Sequence, residues 1–189
     1  MNSCKVNIRP PRAPSIKEII WSPPLPSWIK INTDGAAIKN PARAAAGGIF
    51  WNSDGACIGG FTHFIGPADA LFAKLIATMV AIEIAVSKGF SNVWLESDSK
   101  LVVMAFKSKL VVPWELRNRW ENCLHLTYNM RFCVSHIYRE GNTWADRLAN
   151  FGLSLSSFDI FWFDVIPKFV RGEYIRNRLG MSNFRFTTF

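Results

Sequence analysis

The sequence predicts an α/β fold: a five-stranded mixed sheet, its first three strands antiparallel, with helices on both faces. Three observations predict it. Side chains alternate at period two from Trp28 to Thr33, after a proline-rich opening, and a strong turn signal joins the next two strand-like segments. The period lengthens to that of a helix between Ala68 and Lys88. Two later apolar stretches of strand length are each reached through helical segments, so each joins the sheet by a crossover.

The opening ends in Ser22-Pro23-Pro24-Leu25-Pro26, and residues 1–27 read as a linker-like extension. From Trp28 to Thr33 the side chains of Ile29, Ile31 and Thr33 point one way and those of Trp28, Lys30 and Asn32 the other; Asp34-Gly35 is expected to end this strand. Ala44 to Trp51 is the second strand. Asn52-Ser53-Asp54-Gly55 then turns the chain into a third, Ala56 to His63. Ala68 to Lys88 is the first helix, stopped by Gly89. Val93-Trp94-Leu95 is a fourth strand running into Glu96-Ser97-Asp98-Ser99. Helices follow over Lys100–Lys107 and from Pro113 to Thr127. Phe132-Cys133-Val134 is the fifth strand, and Asn142 is a candidate cap for a last helix reaching Phe151.

The folded domain is therefore expected over residues 28–152, with residues 153–189 as a basic, aromatic tail. In the tail Phe158, Phe161, Trp162 and Phe163 are expected to pack on the domain. Arg171, Arg176, Arg178 and Arg185 are expected to stay in solvent, although interleaved aromatics and arginines also suit base stacking and phosphate contact.

An apolar content of 49% supplies a buried core and excludes wholesale disorder. The longest apolar run, Leu71 to Val86, is broken by Lys74 and Glu83, so no membrane partner is expected. Residues 1–15 hold Pro10, Pro11 and Pro14 and no apolar stretch, unlike a secretory signal. Cys4, Cys57, Cys123 and Cys133 form no CxxC pair. They read as reduced thiols, three of them in the core, of an intracellular protein, nuclear or cytoplasmic. The net charge of +8 resides in the flanks: residues 1–33 and 165–189 carry +4 each, and residues 34–164 are neutral. Charged flanks suit an anionic partner such as nucleic acid, and equally serve solubility.

Asp34, Asp98 and Asp146 stand at predicted strand or helix ends. Singly they read as a turn residue, a helix cap and a complement to a helix dipole. Together, on this element order, they suggest an oxygen-rich site of the kind that hard divalent cations prefer.

The segments Trp28-Ile-Lys-Ile-Asn-Thr-Asp-Gly-Ala36, Val93-Trp-Leu-Glu-Ser-Asp-Ser99 and His136-Ile-Tyr-Arg-Glu-Gly-Asn-Thr-Trp-Ala-Asp-Arg-Leu-Ala-Asn150 carry a resemblance. Over residues 21–152 the chain resembles the plant ribonuclease H-like domain related to retroelement reverse transcriptases. Trp162, Pro167 and Arg176 resemble the segment that often follows it. The resemblance implies the fold above and a monomeric hydrolase, an endonuclease cutting the RNA strand of an RNA–DNA hybrid with two Mg²⁺ or Mn²⁺ ions. One metal activates a water and the other steadies the leaving oxygen. It implies that Asp34, Asp98 and Asp146 are catalytic, metal-holding acids, and that His136 helps product leave or relays protons. Gly35, Ser99, Arg139 and Asn142 lie inside the matching motifs as candidate nucleic-acid contacts, while Arg139 and Glu140 could equally form a local ion pair.

One departure matters. Where the family carries a fourth acid, a glutamate in an Ala-Glu-Leu step, this chain reads Ala73-Lys74-Leu75. Glu83, nine residues on, falls on the opposite helix face, and Asp69 sits near the helix start, so neither replaces it. A unit charge about 4 Å away interacts by roughly 4 kcal/mol at an effective dielectric of ~20. A millimolar metal site has only about 4 kcal/mol of binding free energy. Lys74 therefore predicts an impaired site, one that neutralises its own aspartates and can leave hybrid binding intact. A smaller departure is Trp51-Asn52 in place of the family's arginine-aspartate step, expected to alter a surface contact. Three readings follow: an RNA–DNA hybrid ribonuclease with weakened activity, a non-catalytic binding module for hybrid or RNA, or a fold kept by packing alone.

Overall fold

Three consecutive strands form an antiparallel meander, and two apolar segments of strand length return parallel to the first of them. In a computed structural model that describes residues 15–165, 167 and 183–187, these are β2 (Ile29–Lys39), β3 (Ala42–Trp51), β4 (Cys57–Gly66), β5 (Asn92–Ser97) and β6 (Arg131–His136). They are preceded by a short strand, β1 (Ser15–Ile19). The helices are α1 (Ala70–Ser87), α2 (Lys100–Ala105), α3 (Arg117–Thr127) and α4 (Thr143–Gly152). The strand order β6-β5-β2-β3-β4 is the mixed sheet that the sequence predicts, with β5 and β6 parallel to β2 and the β2-β3-β4 meander antiparallel.

Helices cover both faces. On one, α1 packs over Ile31, Phe50, Phe61 and Leu95 and is backed by Trp120 and Cys123 of α3. By length and composition α1 could cross a membrane, but more than half of it is buried against the sheet. On the other face α4 sets Trp144 and Leu148 against Ile49 and Trp51. Two glycines let these helices approach. A Cβ on Gly35 would lie 2.3 Å from the Lys74 backbone nitrogen of α1, and one on Gly47 would lie 2.3 Å from the Ala149 nitrogen of α4.

The structure corrects several expectations. A sixth strand, β7 (Ile160–Phe163), pairs antiparallel with β4 and extends the sheet. It is held because Trp162 packs on Phe50 at 5.3 Å, over Gly59, where a Cβ would collide with the indole. Residues 1–27 are not all linker: β1 pairs with β8 (Asn183–Thr187), and Ile19 and Trp21 are buried. The driving force is aromatic burial, for Trp21 lies 4.9 Å from Trp51, which lies 5.3 Å from Trp144. Trp51 is accordingly a core residue, its indole nitrogen donating to Asn32 Oδ1 at 3.1 Å, and no surface contact.

Nor does Asp34 end its strand. β3 pairs with β2 as far as Lys39, whereas β5 follows β2 only to Thr33, opposite Ser97. Among the cysteines Cys123 is buried, Cys57 is half-buried and Cys133 is exposed. Phe132 and Val134 turn toward the core, so Cys133 between them must face outward on the edge strand. Burial pushes the Cys57 thiol up to about 11 and the Cys123 thiol up to about 12, which keeps both protonated and inert. Cys4, Arg171, Arg176 and Arg178 lie outside the described residues.

Gly35→Ala is expected to destabilise the fold by at least about 3 kcal/mol, because the new methyl meets backbone rather than a movable side chain. Urea denaturation of the variant beside the parent chain checks this.

Candidate active site

β2 and β5 run side by side up to Thr33 and Ser97 and then part. The next residue on β2 is Asp34; the next on the β5 side is Asp98. The carboxylates thus flank a gap at the carboxyl ends of parallel strands, where open α/β sheets place their ligand crevices. Above the gap α1 crosses so closely over Gly35 that Lys74 projects into it. Its ammonium donates to Asp34 Oδ1 and, at 2.5 Å, to Asp98 Oδ1. Asp34 also accepts from the Gly35 backbone N–H at 2.7 Å. The side chains are 18% (Lys74), 3% (Asp34) and 9% (Asp98) exposed, so both ion pairs are largely shielded from water.

Asp146, in the first turn of α4, lines the same cleft, which has a volume of about 240 Å³. Its Oδ1 lies 3.5 Å from a guanidinium nitrogen of Arg139. That pair is exposed and contributes little stability. Three carboxylates are therefore met by two cations, and the ammonium touches two of the three.

Of the residues singled out from the sequence, Asp34, Gly35, Lys74, Asp98, Arg139 and Asp146 line this cleft. His136 does not: its Nε2 lies 3.1 Å from the backbone oxygen of Asp98. Ser99 caps α2, its hydroxyl accepting from the Val102 N–H at 3.4 Å. Asn142 does not cap α4 with its side chain. The amide donates instead to the Thr33 carbonyl at 3.0 Å, tying the start of α4 to β2 beside Asp34, and its Oδ1 is buried with no hydrogen-bond partner among the described residues. Arg139 is paired with Asp146 rather than with Glu140, and Glu140 meets Arg185 at 3.6 Å. Sequence reading missed Asn150, which lines the cleft one helical turn after Asp146; the i+4 spacing was the available signal.

Neither of the other acids on α1 reaches the gap. Asp69 caps the helix, accepting from the Phe72 N–H at 2.8 Å, and Glu83 is gripped by Arg119 of α3 through two bonds of 2.8 and 2.7 Å. Among the described residues no group of three or more His, Cys, Asp or Glu side chains is placed to hold one metal ion. A divalent cation between Asp34 and Asp98 does not fit these residues, because the Lys74 ammonium already takes an oxygen of each.

The charges respond to one another. Burial pushes the Asp34 carboxyl up to about 6, against the pull of Lys74, and the Asp98 charge adds to the push. Burial also works against the Lys74 ammonium, but the two carboxylates outweigh it and hold its pKa above the ordinary value. Lys74 is consequently charged throughout the neutral range.

Because Asp34 binds its proton more tightly folded (about 6) than unfolded (about 3.8), its contribution to stability is complete below pH 4 and is lost as pH rises through 6. Removing the ammonium should exaggerate this. Lys74→Met is expected to lose about 3 kcal/mol at pH 8, where two partly buried carboxylates would face each other unpaired. At pH 5 the loss should be clearly smaller. Urea midpoints at the two pH values check both statements.

Comparison with known proteins agrees with this architecture. The family described as reverse transcriptase-like matches residues 32–152. A protein of Arabidopsis thaliana named for ribonuclease H is 34% identical over 176 residues, 91% of this chain and 28% of that protein. Ribonuclease HI of Halobacterium salinarum is 32% identical over 123 residues, 62% of this chain and 60% of its own length. The chain thus spans less than two thirds of either relative. Among solved structures, ribonuclease H1 of Halobacterium salinarum matches with a TM-score of 0.60 at 29% identity, over 67% of this chain and 97% of that one. LC11-RNase H1 in complex with an RNA/DNA hybrid matches with a TM-score of 0.59 at 26% identity, over 66% and 96%. By its strand order and these matches, the chain has a ribonuclease H-like fold and belongs to the reverse transcriptase-like family.

Proposed function

We propose that this ribonuclease H-type domain binds RNA–DNA hybrid across the aspartate cleft and that Lys74 suppresses cleavage of the RNA strand by standing in for a divalent cation. The observation that carries the reading is the ammonium bonded to both Asp34 and Asp98. Support for the substrate class comes from LC11-RNase H1, whose structure with an RNA/DNA hybrid shares this fold over nearly its whole length. Support for suppression comes from magnitudes. A divalent cation must either displace Lys74, breaking two shielded ion pairs of roughly 4 kcal/mol each at 4 Å and an effective dielectric of ~20, or meet it as a like charge at about twice that. Millimolar metal affinity supplies only about 4 kcal/mol.

The competing reading is an active hybrid ribonuclease using Mg²⁺ or Mn²⁺ with Asp34, Asp98 and Asp146 as ligands and His136 as helper. One feature favours it: Lys74 is 18% exposed on a flexible stem and can swing toward water. His136 reaches the cleft only through the Asp98 backbone, so on this reading its part is to position that turn.

A labelled RNA–DNA hybrid incubated with Mg²⁺ or Mn²⁺ separates the two. The Lys74→Glu variant should cut at least ~100-fold faster than the parent chain, equivalent to about 3 kcal/mol in the barrier. Equal rates would refute the role given to Lys74. Failure of the parent chain to bind hybrid at low salt would refute the binding role.

A further inference from the structure

β1 and β8 come from the two flanks that carry the whole net charge, and their pairing brings those flanks together. In their register Lys17 stands directly opposite Arg185. Like charges at facing positions of an antiparallel pair repel. Here both gather on one aromatic ring. Lys17 Nζ donates to the Tyr138 hydroxyl at 2.9 Å and lies 4.4 Å from the ring centroid, and the Arg185 guanidinium lies 5.0 Å from it. Glu140 lies 3.6 Å from Arg185. Lys17 is exposed and the Arg185 side chain is 39% exposed, so donors remain for a partner.

This cationic face adjoins the cleft. The Tyr138 ring meets His136 edge-on at 5.5 Å, and His136 touches the Asp98 carbonyl at 3.1 Å. Lys100 opens α2 just beyond Asp98 and is exposed. The Tyr138 hydroxyl registers the resulting field: its hydrogen bond from Lys17 and the Lys17 charge, then Arg185 and Lys100, hold it below the ordinary tyrosine range.

Resting on the hybrid-binding reading above, we propose that Lys17 and Arg185, paired across β1 and β8 beside Tyr138, form a second contact surface for the phosphate backbone of a nucleic-acid strand running past the cleft. The cleft itself supplies little attraction, since its two cations are engaged by its three aspartates. A phosphate between Lys17 and Arg185 would relieve their mutual repulsion, and neither hybrid sequence nor strand chemistry enters such a contact. The surface therefore adds affinity without base preference.

Binding of the full chain to a labelled RNA–DNA hybrid, titrated with salt, tests this. Each phosphate contact contributes about 0.7–0.9 to the slope of log affinity against log salt. Lys17→Gln/Arg185→Gln should weaken binding and flatten the slope by about 1.5, the sum of two such contacts. The charge-keeping pair Lys17→Arg/Arg185→Lys should retain the parent slope, which separates lost charge from a misfolded flank. Lys88→Gln/Lys109→Gln removes the same charge where one lysine stacks on Trp162 and the other pairs with Glu121, and should leave the slope unchanged. An unaltered slope in the first pair, or an equal loss in the last, overturns the proposal while leaving hybrid binding intact. Competition by an acidic polypeptide at equal charge concentration would show a general anion surface and overturn it too. Absence of parent binding at low salt overturns this proposal together with the reading beneath it.

Discussion

A lysine ammonium held between two carboxylates organises this molecule's cleft, and that contact depends on several separate features of the chain. It requires β5 to leave β2 after Thr33, so that Asp34 and Asp98 face a gap instead of a ladder partner. It requires α1 to pass so near β2 that only a glycine fits at position 35. Glu83 falls on the opposite face of α1, where Arg119 pairs with it. Each side chain alone would be costly to shield from water. Together they are mutually solvated, with the Gly35 N–H completing the shell of Asp34.

Farther back along the same two strands a similar problem is solved differently. Lys30 is 2% exposed, pairs with Glu96 at 3.3 Å, donates to the Ser22 carbonyl at 2.7 Å and lies 3.7 Å above Trp94. Burial pulls its ammonium below the ordinary lysine range, with Glu96 opposing. This is structural charge, enclosed by the segment from Ile19 to Ser22 and by the Trp21–Trp51 contact. The two lysines differ in what surrounds them: Lys30 is roofed by aromatic rings, whereas half-buried Lys74 stands at the mouth of a cleft. Only the second is placed to act on a ligand.

The cleft's two cations are taken up by its three aspartates, which shifts the electrostatic burden outward. With the aspartates answered by Lys74 and Arg139, and residues 34–164 neutral as a whole, long-range attraction for a polyanion must arise in the flanks. The β1–β8 pairing explains how segments far apart in the chain act as one surface, and Tyr138 explains how that surface is tied to the loop leading into α4.

Order, type and approximate limits of the five central strands and the main helices were legible in the sequence, because apolar spacing encodes them locally. The charged residues of the cleft were legible too, through three short motifs and one aberrant lysine, whereas Asn150 was not. What was not legible depended on neighbours distant in the chain. Asp34 reads as a turn after Thr33, yet β3 carries its strand on to Lys39. Trp51 reads as surface until Trp21 and Trp144 close over it. Asn142 reads as a helix cap until the Thr33 carbonyl takes its amide. Ser15–Ile19 reads as linker until Asn183–Thr187 supplies a partner. Periodicity and motif are properties of adjacent residues and so are written in order along the chain; the depth of a strand's pairing, the burial of an indole and the partner of an ammonium are set by which segments meet, and only the folded arrangement decides that.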